Sequence, residues 1–359
     1  MRIAYVLPSL VNTGPIVVVQ DIVKNLVDKV DLIDVYYFDE SPTTLHFDCN
    51  VFHISKKDII DFDKYDIIHS HMLRPDIYLY RNRKKIKKAK IISTLHQDTF
   101  INLGHQYNRL LAFSVSHFWC YVQSHFDGVI SISDQIKDKY NPLLSNKITT
   151  IYNGCSVSEN PVEEDENVQL IKQCKEKEYK ILGSYAYITK GKGLSQVIDA
   201  LVQLPYYAYI IFGKGPYLEA LKQQVSRLKL EERVVFLPYV KTPDVYLKYM
   251  DIYMMPSYSE GFGLAMVEAA LAKKSIVCSN LPSFHEIFME NEATFFELNN
   301  VNSLVESIHI AYSEMETKGG LAYTKANSFF TAEIMAANHL FYYNKMINNK
   351  NVLPSGFNL

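Results

Sequence analysis

Residues 251–270 read Asp-Ile-Tyr-Met-Met-Pro-Ser-Tyr-Ser-Glu-Gly-Phe-Gly-Leu-Ala-Met-Val-Glu-Ala-Ala. The first five residues form a short apolar strand, which Pro256 ends. A polar loop with Gly261 and Gly263 follows, and from Leu264 the apolar spacing is helical. The stretch is therefore a strand, a glycine-bearing loop and a helix. In open parallel sheets ligands bind outside the carboxyl ends of strands, where this loop lies. The two glycines permit close approach of a ligand to the backbone. Free amides at the helix start, around Phe262, Gly263 and Leu264, suit an anion such as a diphosphate. Glu260 precedes the helix and projects toward the ligand, and Glu268 lies just over one turn into it. A carboxylate at Glu268 can accept hydrogen bonds from two vicinal hydroxyls, as on a ribose. The plainer reading is a helix N-terminus decorated with acids to complement its dipole.

Working outward, short apolar strands alternate with helical segments along the chain. Strands are expected at 2–7, 34–38, 66–70, 90–95 and 128–132. The alternation pauses near 151–154, and the charged stretch 158–177 reads as a linker. It restarts with strands at 180–184, 207–212, 234–237, 251–255, 275–278 and 293–296. Helices are expected at 16–30, 194–204 and 217–228, with a long aromatic-rich helix at 332–347. Such alternation gives α/β domains with doubly wound parallel sheets. The 359 residues exceed one ordinary core. Two Rossmann-like domains facing across a cleft are expected: 1–165, joined by a returning segment 332–359, and 166–331.

Composition limits the function classes. The net charge of −2 argues against a general nucleic-acid binder. Five dispersed cysteines, without close pairs, indicate reduced thiols in a cytoplasmic protein. Residues 1–7 read as a first strand, not a signal peptide. No apolar stretch reaches the roughly 18 residues of a membrane span. Abundant Lys, Ile and Asn, with 26 tyrosines, point to an AT-rich bacterial genome.

The segment 256–268 resembles the Glu-x7-Glu signature of retaining nucleotide-sugar glycosyltransferases with the GT-B fold, group 1 or family 4, of the polysaccharide-assembly type. Lys192-Gly-Leu-Ser-Gln-Val-Ile-Asp-Ala200 resembles that family's Lys-Gly turn and following helix. Gly213-Lys-Gly215-Pro216 resembles its Gly-x-Gly-Pro turn, and 234–240 and Ser283-Phe-His-Glu286 resemble later segments. The resemblance implies roles residue by residue. Glu260 would contact hydroxyls of the donor sugar, and Glu268 the nucleotide ribose. Amides of Gly261, Phe262, Gly263 and Leu264 would touch sugar and diphosphate. Lys192 would bind the diphosphate and offset charge on the leaving group. The family usually has arginine where this chain has Ser184, and Lys190 is the candidate replacement for that charge. Pro238 stands where glycine is common.

In the first half, Asn12-Thr-Gly14-Pro15 opens the first helix, and Gly14 would approach the donor phosphates. Asp66-Ile-Ile-His69-Ser-His71 and Arg74-Pro-Asp76 resemble a segment of polysaccharide-assembly members. His96 ends another strand, and the resemblance places it near the transferred sugar. A lone histidine equally reads as a capping or core residue. The aromatic run 113–121 is expected to be core helix. Seven basic residues lie between Arg81 and Lys90. They form either a solvated helix face or a patch for anionic lipid.

The resemblance implies retention of anomeric configuration by front-face attack, with no metal and no cofactor. The donor substrate is expected to be a nucleotide-diphosphate sugar, with a UDP-sugar favoured. The acceptor is expected to be a lipid-linked or cell-surface glycan, as in O-antigen, lipopolysaccharide or capsule synthesis. The enzyme would sit in the cytoplasm, at the inner membrane face. The alternatives are a GT-B enzyme making a small glycoside or disaccharide, and a non-catalytic sugar-binding scaffold.

Overall fold

The computed structural model describes residues 1–100, 109–144, 147–158 and 162–348. The chain forms two compact units, Met1–Gly154 with Thr331–Leu359, and Cys155–Phe330.

The first unit is built on β1 (Arg2–Ser9), β2 (Leu32–Asp39), β3 (Asn50–His53), β4 (Ile67–His71), β5 (Lys90–Leu95), β6 (Gly128–Ser131) and β7 (Ile148–Thr150). They form one sheet in the order β3-β2-β1-β4-β5-β6-β7, parallel throughout. Its helices are α1 (Gly14–Leu26), α2 (Leu73–Asn82), α3 (Arg109–Ser124) and α4 (Asp134–Tyr140). In the second unit α5 (Glu166–Glu176) precedes a six-stranded sheet. Its strands are β8 (Lys180–Tyr187), β9 (Tyr207–Lys214), β10 (Val234–Leu237), β11 (Ile252–Met255), β12 (Ser275–Ser279) and β13 (Thr294–Phe296), in the order β10-β9-β8-β11-β12-β13. The helices α6 (Leu194–Ala200), α7 (Leu218–Leu228), α8 (Leu264–Leu271), α9 (Pro282–His285), α10 (Val301–Ser313) and α11 (Met315–Phe329) complete it. The last helix, α12 (Ala332–Asn348), belongs to the first unit and packs on α1. The Tyr343 hydroxyl on α12 lies 2.7 Å from Nδ1 of His69 on β4.

Every expected strand is present. The apolar runs are buried on both faces, as parallel strands covered by helices must be: Ile3 to Leu7 in β1 and Tyr207 to Phe212 in β9 are all at most 2% exposed. Two strands escaped the sequence reading. β3 and β7 are edge strands of four and three residues, and all of β3 is exposed, so neither carries a buried apolar run.

The expected linker is corrected over 166–176, which is α5. Asp165 caps it, accepting 2.7 Å from the Val168 amide, and Val168, Ile171 and Cys174 are buried at helical spacing. Residues 155–158 and 162–165, placed with the first half by sequence, pack in the second unit. The Cys155 amide donates to the Phe330 carbonyl, and the Tyr249 hydroxyl donates to the carbonyls of Val162 and Glu163. Residues 349–359 of the expected returning segment lie outside the described residues.

The run 113–121 is also corrected. Trp119 and Cys120 are buried, but Phe113, Phe118 and Tyr121 are 59%, 47% and 55% exposed. α3 buries one face against α2 and leaves an aromatic row outside. No helix among the described residues is long and apolar enough to cross a membrane.

Candidate functional site

The second sheet opens where its strand order reverses. β8 pairs with β11 only at Leu182↔Ile252 and Gly183↔Tyr253, whereas its ladder with β9 continues to Tyr187↔Lys214. Beyond Gly183 and Tyr253 the two central strands therefore diverge. The chain leaves β8 toward β9 and later returns to β11 on the other side, so this gap is the topological switch point. A pocket lies there, lined among others by Ser184, Tyr185, Lys192, Met255, Pro256 and Ser257.

Two loops meet over it. Lys190–Lys192 forms a single 3-10 turn, and Gly193 follows at φ 65°. A Cβ on Gly193 would sit 1.9 Å from the Pro256 carbonyl oxygen, so only glycine allows this contact. The Tyr258 amide donates to the Gly191 carbonyl at 2.8 Å, and Gln196 Nε2 donates to Pro256 O at 3.0 Å. This docking brings Lys192 and Glu260 together. Lys192 Nζ donates to Glu260 Oε1 at 2.5 Å, and Ser257 Oγ donates to the same oxygen at 2.8 Å. The lysine and glutamate side chains are 32% and 16% exposed. Glu260 Oε2 makes no hydrogen bond to the described residues.

Gly261 and Gly263 lead into α8. Gly263 has φ 97°, and its carbonyl receives the amides of Met266 and Val267. The amides of Leu264 and Ala265, in the first turn, have no helical acceptor. The Phe262 ring is a core group, 3% exposed and edge-on to Phe330 at 5.7 Å, so it is not presented to a ligand. Glu268 accepts a hydrogen bond from the Tyr185 hydroxyl, which also lies 3.4 Å from Ala265 O. Burial and the adjacent Glu268 carboxylate hold the Tyr185 phenol well above its usual range, so it stays a donor.

Ser184 faces inward. Its hydroxyl donates to Met254 O at 2.6 Å, where the β8–β11 ladder has ended, and accepts from the Tyr209 hydroxyl at 2.7 Å. It offers no charge to a ligand. Lys190 is exposed and without an acidic partner among the described residues. Tyr185 and Ser257 escaped the sequence reading, since their contacts depend on how the two strands diverge.

Gly14 and His96 belong to the first unit. Gly14 is exposed at the start of α1, and a Cβ there would meet nothing within 4 Å. His96 follows β5 and joins a buried group of histidines. Its Nε2 lies 2.7 Å from Nδ1 of His71, whose ring centroid is 4.2 Å from that of His69. His69 Nε2 is 2.8 Å from Thr94 Oγ1, and His339 Nδ1 donates to Met335 O at 2.9 Å. Burial holds all four imidazoles well below their usual range, His96 at about 3 and His339 at about 4, so the group is neutral. No three His, Cys, Asp or Glu side chains among the described residues are arranged to hold a metal ion. Beneath the histidines Asp76 is fully buried. It accepts from Ser70 at 2.5 Å, Ser93 at 2.8 Å, Trp119 at 2.6 Å and Gln123 at 3.0 Å, tying β4, β5, α2 and α3 together.

Two units built on open parallel sheets, with acids and a lysine at the switch point of the second, have the architecture of the GT-B class. The model of the group 1 glycosyl transferases matches residues 166–323, and that of glycosyltransferase family 4 matches residues 35–159. The O-antigen biosynthesis glycosyltransferase WclY of Escherichia coli is 31% identical over 358 residues, 96% of this chain and 99% of that protein. Among solved structures, HepE of Anabaena in complex with UDP and glucose superposes with a TM-score of 0.80 at 18% identity, over 95% of this chain and 99% of its own. Sucrose-phosphate synthase from Thermosynechococcus elongatus gives 0.79 at 15% identity, over 97% and 100%. The chain belongs to the group 1, family 4 glycosyltransferases and has the GT-B fold.

Proposed function

We propose that this glycosyltransferase moves a hexose or N-acetylhexosamine, with retention, from a nucleotide-diphosphate sugar to a lipid-linked or cell-surface glycan of the O-antigen or capsule type. The Lys192–Glu260 pair, whose lysine lines the switch-point pocket, carries this reading. Glu260 has one carboxylate oxygen engaged by the protein, and the other is assigned to donor-sugar hydroxyls. Glu268, steadied by Tyr185, takes the ribose hydroxyls. The backbone amides of Gly261, Phe262, Gly263 and Leu264 and the ammonium groups of Lys192 and Lys190 take the diphosphate. Gly14 and His96 serve donor phosphates and transferred sugar from the first unit. Retention follows from front-face attack, the departing phosphate accepting the acceptor hydroxyl's proton. The named role of WclY supports the acceptor class. UDP is the favoured nucleotide, supported by the UDP held in HepE.

The acceptor reading includes contact with the inner membrane face. Arg81, Lys84, Lys85 and Lys87 are exposed without acidic partners among the described residues. Arg83 sits 4.0 Å over the Tyr80 ring, which in turn meets Tyr121 at 6.0 Å. The cations thus adjoin the exposed row of α3, which suits an anionic interface.

The test is transfer from UDP-, GDP- and ADP-sugars to lipid-linked acceptor, with the anomeric configuration of the product read by NMR. An α-linked product from an α-linked donor is expected, and Glu260→Gln should lower kcat by about 100-fold or more. An inverted product would sink retention. Wild-type transfer by Glu260→Gln would sink the site.

A further inference from the structure

His71 lies on β4 with no exposed surface, and it is the member of the histidine group with a fully buried ring nitrogen that has no partner. Its Nδ1 is 2.7 Å from His96 Nε2, while its own Nε2 is buried without any partner. Two neutral imidazoles in contact share one proton across the bond, and only two arrangements are possible. If His96 donated, the proton of His71 would sit on Nε2, an orphan N–H in a dry interior. If His71 donates, Nε2 carries a bare lone pair instead. Orphaned buried N–H groups are rarer in folded proteins than under-satisfied acceptors, so the second arrangement wins. His96 then receives at Nε2 and must carry its own proton on Nδ1. That nitrogen makes no hydrogen bond to the described residues, and His96 is half-buried.

We propose that His71 is a positioning residue: it fixes His96 as the Nδ1–H tautomer, so that His96 meets the transferred sugar as a hydrogen-bond donor. The statement about the sugar rests on the placement of His96 proposed above, whereas the tautomer does not. A donor at this nitrogen can hold a sugar hydroxyl or ring oxygen. It cannot act there as a general base. The groups facing His71 are His69, His96 and Tyr5, with His339 behind His69, so no carboxylate is among them to draw a second proton onto the pair.

The experiment is a long-range correlation of ring nitrogens and carbon-bound protons in ligand-free protein labelled with 15N-histidine at neutral pH, assigned with His71→Asn and His96→Gln. Nδ1–H tautomers are expected for both His71 and His96. An Nε2–H signature on His96 would overturn the proposal. Turnover supplies the second readout. His71→Asn retains a side-chain N–H near the Nδ1 position and should keep kcat within about threefold, whereas His71→Leu should lose about 10–100-fold in kcat with donor KM unchanged. Equal losses in both variants, with equal falls in unfolding temperature, would reduce His71 to a packing residue. If His96→Gln transfers at the wild-type rate, the placement of His96 fails whatever the spectrum shows. If His96→Gln is impaired while the spectrum shows Nε2–H, the placement stands and the role of His71 fails.

Discussion

Glu260 and Lys192 neutralise each other in the ligand-free chain, and this decides how their variants should behave. In the proposed arrangement a diphosphate arriving at Lys192 would compete with Glu260 Oε1, 2.5 Å away. Glu260→Gln removes that competitor and frees the ammonium. UDP should then bind as tightly as before or a few-fold more tightly, while kcat falls by about 100–1,000-fold. Calorimetry with UDP beside steady-state kinetics separates the two effects, and a joint loss of affinity and turnover would contradict the account. Tyr185→Phe works in the opposite direction. It removes the hydroxyl that steadies Glu268 and leaves the sugar end alone. Nucleotide binding should weaken by about 1–2 kcal/mol, roughly 5–30-fold, with little change in kcat. A fall in kcat without a change in UDP affinity would refute that assignment. The two glutamates were legible because their spacing along one loop and helix is itself the signal. Tyr185 and Ser257 were not, because a strand tyrosine and a loop serine become site residues only when β8 and β11 separate. Ser184 was legible as a departure, and the structure supplies its reason: it ties β8 to β9 through Tyr209 and to β11 through Met254, where the β8–β11 ladder stops.

At the scale of elements, the central strands and the helices α1, α3, α6, α7, α8 and α12 were readable, since buried parallel strands are continuous apolar runs and these helices carry clear apolar spacing, whereas α5 read as a linker and α2, α4, α9, α10 and α11 went unread. The edge strands and the exposed half of α3 were not. Hydrophobicity alone cannot tell an aromatic row that packs from one that is left outside. Leu110, Phe113, His117 and Tyr121 recur at helical spacing, and three of them are more than half exposed. If this row and its neighbouring cations meet anionic lipid, replacing Lys84, Lys85 and Lys87 by glutamine should weaken vesicle binding by about 100-fold, near 1 kcal/mol for each charge. Phe113→Ser with Tyr121→Ser should weaken it further at high salt, where charge is screened. Sedimentation with phosphatidylglycerol vesicles checks both, and unchanged binding would return the row to an ordinary solvated face. The turn at Gly193 makes a separate prediction. Gly193→Ala forces a side chain into φ 65° and onto the Pro256 carbonyl, so the two loops must part. About 1–3 kcal/mol of stability should be lost to backbone strain alone, and donor binding should be lost with it. A variant that keeps both would show that the loops dock in some other way.

For the molecule as a whole, the two units answer differently to acid. His69, His71, His96 and His339, together with Asp21, Asp34 and Asp76, have displaced pKa values and lie in the first unit. Four histidines are held by desolvation below their ordinary value near 6.5, His96 at about 3 and His339 at about 4. As pH falls below 6.5 the unfolded chain takes up protons that the folded unit refuses, so each histidine removes stability, by up to about 1.4 kcal/mol per pH unit. Asp21 and Asp76, raised by burial to about 7, act with the opposite sign. Folded, they hold protons that the unfolded chain has released, so between roughly pH 4 and 7 they lose stability as pH rises. The histidines outnumber them, and the net slope between pH 4 and 6 takes the histidine sign: the first unit weakens toward acid. Hydrogen exchange at pH 7.5 and pH 5 should therefore lose protection in β4, β5 and α12 before β8, β9 and β11. Two variants isolate the terms. His339→Gln removes one refused proton and should flatten the slope by up to about 1.4 kcal/mol per unit. Asp76→Asn should steepen it by a similar amount while keeping most of the network, because the amide oxygen can take two of the three donors now on Oδ2, Gln123 keeps its bond to Ser93, and the N–H₂ can face Ser70. Slopes that move the other way, or protection lost equally in both units, would mean that the buried histidines do not set the acid limit.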